Sequence, residues 1–165
     1  AGADTITGGV LADTLAGGNG IDVLTGGAGV NVFNASSVLT AANADNVADF
    51  KAGAGGDAFH VFNSTTGVIA DGTTLANFVT VAGIAALTNG DFVADTAANL
   101  GTNAALVGDQ SATFSTAGGF ALATDTGALY YDADGDFTAG AELIATITAA
   151  SGTFAPSNFL LGVAA

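Results

Sequence analysis

The chain has no cysteine and no methionine among its 165 residues, and a single lysine, Lys51, stands without any arginine. Without cysteine there is no disulfide, no zinc–thiolate centre and no thiol nucleophile. One lysine against 15 acidic residues leaves a net charge of −14. That balance excludes nucleic acid as a partner, because nothing is present to neutralise phosphates, and it excludes docking on anionic membrane surfaces for the same reason. Half of the residues are hydrophobic, yet no run approaches the roughly 20 residues of a membrane span, so direct membrane insertion is not expected. No basic or apolar leader opens the chain, and it starts partway through a repeat. It therefore reads as the C-terminal piece of a longer chain.

What the chain has instead is glycine, 25 residues of it, and much of that glycine is periodic. Three nonapeptides follow one another: GGVLADTLA (8–16), GGNGIDVLT (17–25) and GGAGVNVFN (26–34), with a partial copy, GADTIT, at 2–7. Each full repeat carries two glycines, then Asp or Asn at its sixth position and a large apolar residue at its eighth. A fixed nine-residue period of this composition signals a stacked β-solenoid. Glycine admits the positive φ of a tight turn, and the next residues alternate outward and inward as a short strand. Ile6, Leu15, Leu24 and Phe33 are thus expected to point inward. Successive turns fall on opposite edges of the coil, which stacks Asp4 over Asp22 and Asp13 over Asn31.

Stacked strands lie about 4.8 Å apart. Two bare carboxylates at that spacing repel by roughly 3–4 kcal/mol at an effective dielectric near 20. A cation between them is required, and the chain has almost none of its own. Carboxylates and turn carbonyls make an all-oxygen cage, which suits calcium and not zinc or copper, and folding of the coil is then coupled to the metal.

These repeats resemble the RTX, or haemolysin-type, calcium-binding repeat GGxGxDxUx. GGNGIDVLT matches it in full; GGVLADTLA has Leu11 in place of the second-turn glycine, and GGAGVNVFN has Asn31 in place of Asp. The resemblance covers about a fifth of the chain. It implies a β-roll in which turn carbonyls and position-six side chains bind Ca2+ between like-sided turns. On this sequence those ligands are Asp4, Gly8, Val10, Asp13, Gly17, Asn19, Asp22, Gly26, Ala28 and Asn31. The segment ADNVADFKAGAGGDAF is similar to the one that follows the repeats in many such proteins, with Asp45, Asp49 and Asp57 as roll-capping residues and further calcium ligands. A calcium-dependent repeat without cysteine fits an extracellular protein exported unfolded. The family's uncleaved C-terminal signal for type I secretion machinery corresponds to the apolar tail FAPSNFLLGVAA.

Beyond residue 62, apolar segments alternate with Gly, Asn, Asp and Thr turns. Strands are expected at 67–70, 77–82, 112–115, 120–124, 128–132 and 143–148, and a short helix at 96–107. Residues 127–147 read as a hairpin whose turn holds Asp132, Asp134 and Asp136. These alternate like the first ligands of an EF-hand, but Phe137 stands at the glycine position and Leu143 at the final carboxylate position, leaving a solvated turn or a weak extra calcium site. The lone histidine, His60, alternates with apolar neighbours as a strand residue does, and no His-Glu-x-x-His or P-loop motif is present. No catalytic residue is nominated.

The expected architecture is all-β: a short parallel β-roll (1–34), roll-capping strands (35–62) and a β-rich, mainly antiparallel C-terminal domain (63–165). The expected function is a non-enzymatic, calcium-dependent extracellular structural module of a surface layer, fibre or adhesin. Its low-charge surface favours packing against copies of itself. The alternative is the secretion and folding module of a secreted enzyme such as a serralysin-like protease or lipase. A carbohydrate-binding tip at Tyr130, Tyr131 and Asp132 is a third reading.

Overall fold

The computed structural model describes residues 1–35, 40–62, 78–80, 92–95, 119–132 and 141–162. The four repeat copies each form one three-residue strand: β1 (Thr5–Thr7), β2 (Thr14–Ala16), β3 (Val23–Thr25) and β4 (Val32–Asn34). In each, the central residue is the least exposed, so Ile6, Leu15, Leu24 and Phe33 face inward as the period requires. Glycine turns reverse the chain between strands; Gly18, Gly20, Gly27 and Gly29 all have positive φ. β1 pairs in parallel with β3, and β2 with β4, each residue facing the one 18 positions on. The repeats therefore alternate between two sheets.

The stacking continues past the repeats. A 3₁₀ turn at Ala41–Asn43 leads into β5 (Asp45–Val47), then β6 (Phe50–Lys51) and β7 (Ala58–Phe62). β5 pairs in parallel with β3, and β7 with β4. After residue 62 come β8 (Phe78–Thr80), β9 (Phe92–Asp95), β10 (Gly119–Ala123), β11 (Ala128–Asp132), β12 (Glu142–Ile147), β13 (Ala150–Ser151) and, past a 3₁₀ turn at Pro156–Asn158, β14 (Phe159–Gly162). β12 pairs in parallel with β5, β13 with β6 and β14 with β7, and every partner is numbered 100 higher: Ala145 faces Asp45, Ala150 faces Phe50, Phe159 faces Phe59.

Among the described residues one sheet thus runs β1-β3-β5-β12-β11-β10-β9-β8, a second runs β14-β7-β4-β2, and β13 and β6 form a two-stranded third. The described residues form four coil turns, as the strand pairs β1/β2, β3/β4, β5/β7 and β12/β14. β5 and β7, in the segment expected to cap the roll, each lie between two other strands and form a third turn of the coil. β12 and β14 supply the fourth.

The expected antiparallel bias after residue 62 is corrected here. Among the described strands only β10 with β11 and β11 with β12 are antiparallel; β8 with β9, β9 with β10, and every pairing back to the coil are parallel. Alternating strand and turn signals do not encode strand direction, which explains the error. The hairpin of 127–147 is present as β11 and β12, with a register shift at Leu129/Tyr130. Residues 67–70, 96–107 and 112–115 lie outside the described residues.

A single apolar core joins the parts. Leu15, Leu24, Phe33, Val47, Phe50, Phe59 and Val61 of the coil pack with Phe120, Leu129, Tyr131, Ile144, Ile147 and Phe159. Phe50 stacks on Phe59 (4.7 Å between ring centroids) and on Phe154 (5.2 Å), and Phe159 stacks on Phe120 (5.4 Å). At 25 cal/mol per Å2, burying one such ring contributes about 2–3 kcal/mol. The aromatic column therefore carries much of the coil's cohesion. Among the described residues, no helix is long and apolar enough to cross a membrane.

Candidate metal centre

Each glycine turn places its position-six side chain back over its own first glycine. A Cβ on Gly17 would overlap the Asp22 carboxylate, and one on Gly26 would crowd the Asn31 amide. Glycine at position one is the space into which the side chain folds. From there each side chain reaches the backbone of the like-sided turn before it. The Asp4 N–H donates to Asp22 Oδ1 (2.6 Å), and the Asp22 N–H donates to Asp45 Oδ1 (3.0 Å). On the opposite edge the Asp13 N–H donates to Asn31 Oδ1 (3.0 Å), and the Asn31 N–H to Asp57 Oδ1 (2.8 Å). Two ladders result, Asp4–Asp22–Asp45 and Asp13–Asn31–Asp57, one along each edge of the coil.

The ladders differ in what they leave over. Asp22 is fully buried, and its second oxygen, Oδ2, has no hydrogen-bond partner. Asp45, one rung on, is also buried. Burial raises the Asp45 pKa to about 6; the Asp22 N–H opposes the shift and the Asp22 carboxylate adds to it. An unpaired buried carboxylate oxygen is costly, and this one lies against Gly17 at the start of its own turn. On the other edge the buried atom without a partner is Asn31 Nδ2, a donor. The bond from the Asp13 N–H fixes the amide oxygen, and so leaves the NH2 group facing inward. The Asp22 edge therefore suits a hard cation and the Asn31 edge suits one poorly.

The nominated ligands fall on these two edges. Gly8, Val10 and Asp13 stack with Gly26, Ala28 and Asn31, held by the Ala28 N–H to the Gly9 carbonyl and the Gly8 N–H to the Thr25 carbonyl. Asp4, Gly17, Asn19 and Asp22 share the other edge, where the Asn19 carbonyl accepts from the Gly2 N–H (3.1 Å). Asp13 Oδ2 accepts from the Gly9 N–H of its own turn (2.6 Å). The acids of the third turn are engaged by backbone. Asp49 accepts from the Gly26 and Gly27 N–H groups (both 2.7 Å), and Asp57 Oδ2 from the Lys51 N–H (2.8 Å). Asp49 and Asp57 thus stitch turn to turn, while Asp45 continues the Asp22 ladder.

Asp132 closes β11 opposite Gly119; Asp134 and Asp136 lie outside the described residues. His60 sits in β7. Among the described residues, no three His, Asp or Glu side chains converge in the manner of a metal centre built from side chains alone. A cation on the Asp22 edge would depend on backbone oxygens for most of its shell.

Asn158 was not anticipated from the sequence. It is fully buried, and its amide joins the fourth turn to the third: Oδ1 accepts from the Gly53 and Ala155 N–H groups, and Nδ2 donates to the Gly53 and Asp57 carbonyls. The sequence around it does not mark it, because Gly53 and Asp57 lie about a hundred residues away.

No family model matches the chain, and neither a curated protein nor a solved structure matches it.

Proposed function

We propose that the chain is a calcium-dependent, extracellular structural module that assembles with copies of itself, and that its coil is a β-roll of the RTX kind, exported by type I secretion machinery. The observation that carries the reading is the buried, partnerless Oδ2 of Asp22, set between Asp4 and Asp45 in a chain with one lysine. Asp22 and Asp45, with carbonyls of the Gly17–Asn19 turn, would hold the ion. Bound there, calcium supplies the positive charge that lets the ladder stay ionised while buried. Asp13 and the Gly8, Val10, Gly26 and Ala28 carbonyls form the lesser site beside Asn31.

Self-association is supported by an apolar edge. Val10 and Leu11 are 79 % and 75 % exposed, and Val30, in the turn stacked on theirs, is 46 % exposed. Exposed aliphatic side chains on one edge of a weakly charged surface favour contact between molecules. Sedimentation and electron microscopy, in millimolar calcium and then in excess chelator, test the proposal. Ordered polymers that form with calcium and disperse with chelator are expected. A compact monomer that merely unfolds in chelator would move the reading to the folding module of a secreted enzyme, and indifference to calcium would end both.

A further inference from the structure

The fourth coil turn is laid directly on the carboxylates of the third. β12 sets Ala145 opposite Asp45, so Asp45 is enclosed between the Asp22 rung and a residue without charge or hydrogen-bonding side chain. Further along, the Phe50 N–H donates to the Ala149 carbonyl and the Ala52 N–H to the Ser151 carbonyl. Phe154 covers Phe50, and Asn158 Nδ2 donates to the Asp57 carbonyl at 2.6 Å. Residues 142–162 thus cover the third turn along its whole length, and seating them is what withdraws Asp45 from water on its far side.

That arrangement has a sign. Asp22 and Asp45 are both buried, and Asp22 Oδ2 meets no donor. Burying two adjacent carboxylates under an apolar turn opposes the seating of that turn. A cation between them removes the opposition, and the seated turn in return shields the cation's field from water. We propose that the C-terminal turn and a cation on the Asp22/Asp45 edge bind cooperatively, so that residues 142–162 are a clasp that calcium closes. This inference rests on the calcium reading above. Linkage makes the coupling reciprocal: whatever loosens the clasp weakens the ion, and removing the ion loosens the clasp.

Hydrogen exchange of the full chain, in millimolar calcium and in excess chelator, tests this at the amides of 150–162. Couplings between sites ordinarily span about 5- to 150-fold. Protection of these amides in the wild type is expected to fall about fivefold or more on chelation. Asp45→Asn keeps the acceptor for the Asp22 N–H but removes the charge, and is expected to keep the clasp protected in chelator. Asn158→Ala is expected to raise the calcium midpoint about fivefold or more. If residues 1–34 respond to calcium while 150–162 do not, the coupling is overturned and the calcium reading survives. Loss of protection in chelated Asp45→Asn equal to that of the wild type also overturns it. No response anywhere in the chain overturns both.

Discussion

Replacing Asp45 by asparagine isolates the electrostatic cost built into the coil. The Asp45 carboxyl has a pKa raised to about 6 from its ordinary 3.8, chiefly by burial and with the Asp22 carboxylate adding to it. The folded state therefore holds a proton on Asp45 that the unfolded chain releases, so between pH 3.8 and 6 the folded state binds more protons. Stability of the calcium-free protein must then rise as pH falls through this window, and the penalty is fully present above it. Between pH 7 and 4.5 a shift of this size is worth about 2 kcal/mol. Urea unfolding in chelator at the two pH values reads this directly, as the difference in slope between the wild type and Asp45→Asn. The variant keeps the acceptor for the Asp22 N–H, so only the charge changes. At pH 7 without calcium it is expected to be the more stable protein by a similar amount, and in calcium the advantage should vanish or reverse. Identical pH dependence in the two proteins would refute the reasoning.

Two further outcomes follow from the turns and the core. Gly17→Ala forces the Asp22 carboxylate off its rung and so breaks its bond with the Asp4 N–H; a loss of about 1–3 kcal/mol is expected, together with weaker calcium binding by calorimetry. Phe33→Ala removes a buried ring that lies against both Phe50 and Phe59; chemical denaturation should show a loss of about 3–5 kcal/mol, with calcium stoichiometry unchanged.

The legible part of this structure is the part that repeats. Nine-residue spacing places Ile6, Leu15, Leu24 and Phe33 inside and sets Asp4 over Asp22 and Asp13 over Asn31, because identical loops return the chain to the same height each time. In the third turn the loops lengthen, and the rung partners become Asp22 with Asp45 and Asn31 with Asp57. The period is gone, although the residue chemistry still marks those acids for the coil's edge. The fourth turn is illegible for a stronger reason. Ala145 takes its place through parallel pairing with Asp45, and Asn158 through side-chain bonds to Gly53 and Asp57; neither parallel pairing nor a distant side-chain bond leaves a turn signature between its partners. The hairpin of β11 and β12 is the contrasting case, since its turn lies between its strands and announces them.

A coil that borrows its last turn from the far end of its own chain is also a statement about folding time. The β5/β12, β6/β13 and β7/β14 pairings each close a loop of about a hundred residues. That closure entropy must be met before any of their contacts reward it. Folding rates fall as contacting residues lie further apart in sequence, so the two repeat turns can form early while the seam waits. A chain made from its N-terminus keeps the edge of β5 bare until β12 has been added, and that of β7 until β14 has been added. The third turn of the coil is therefore completed late, by strands that lie a hundred residues beyond it.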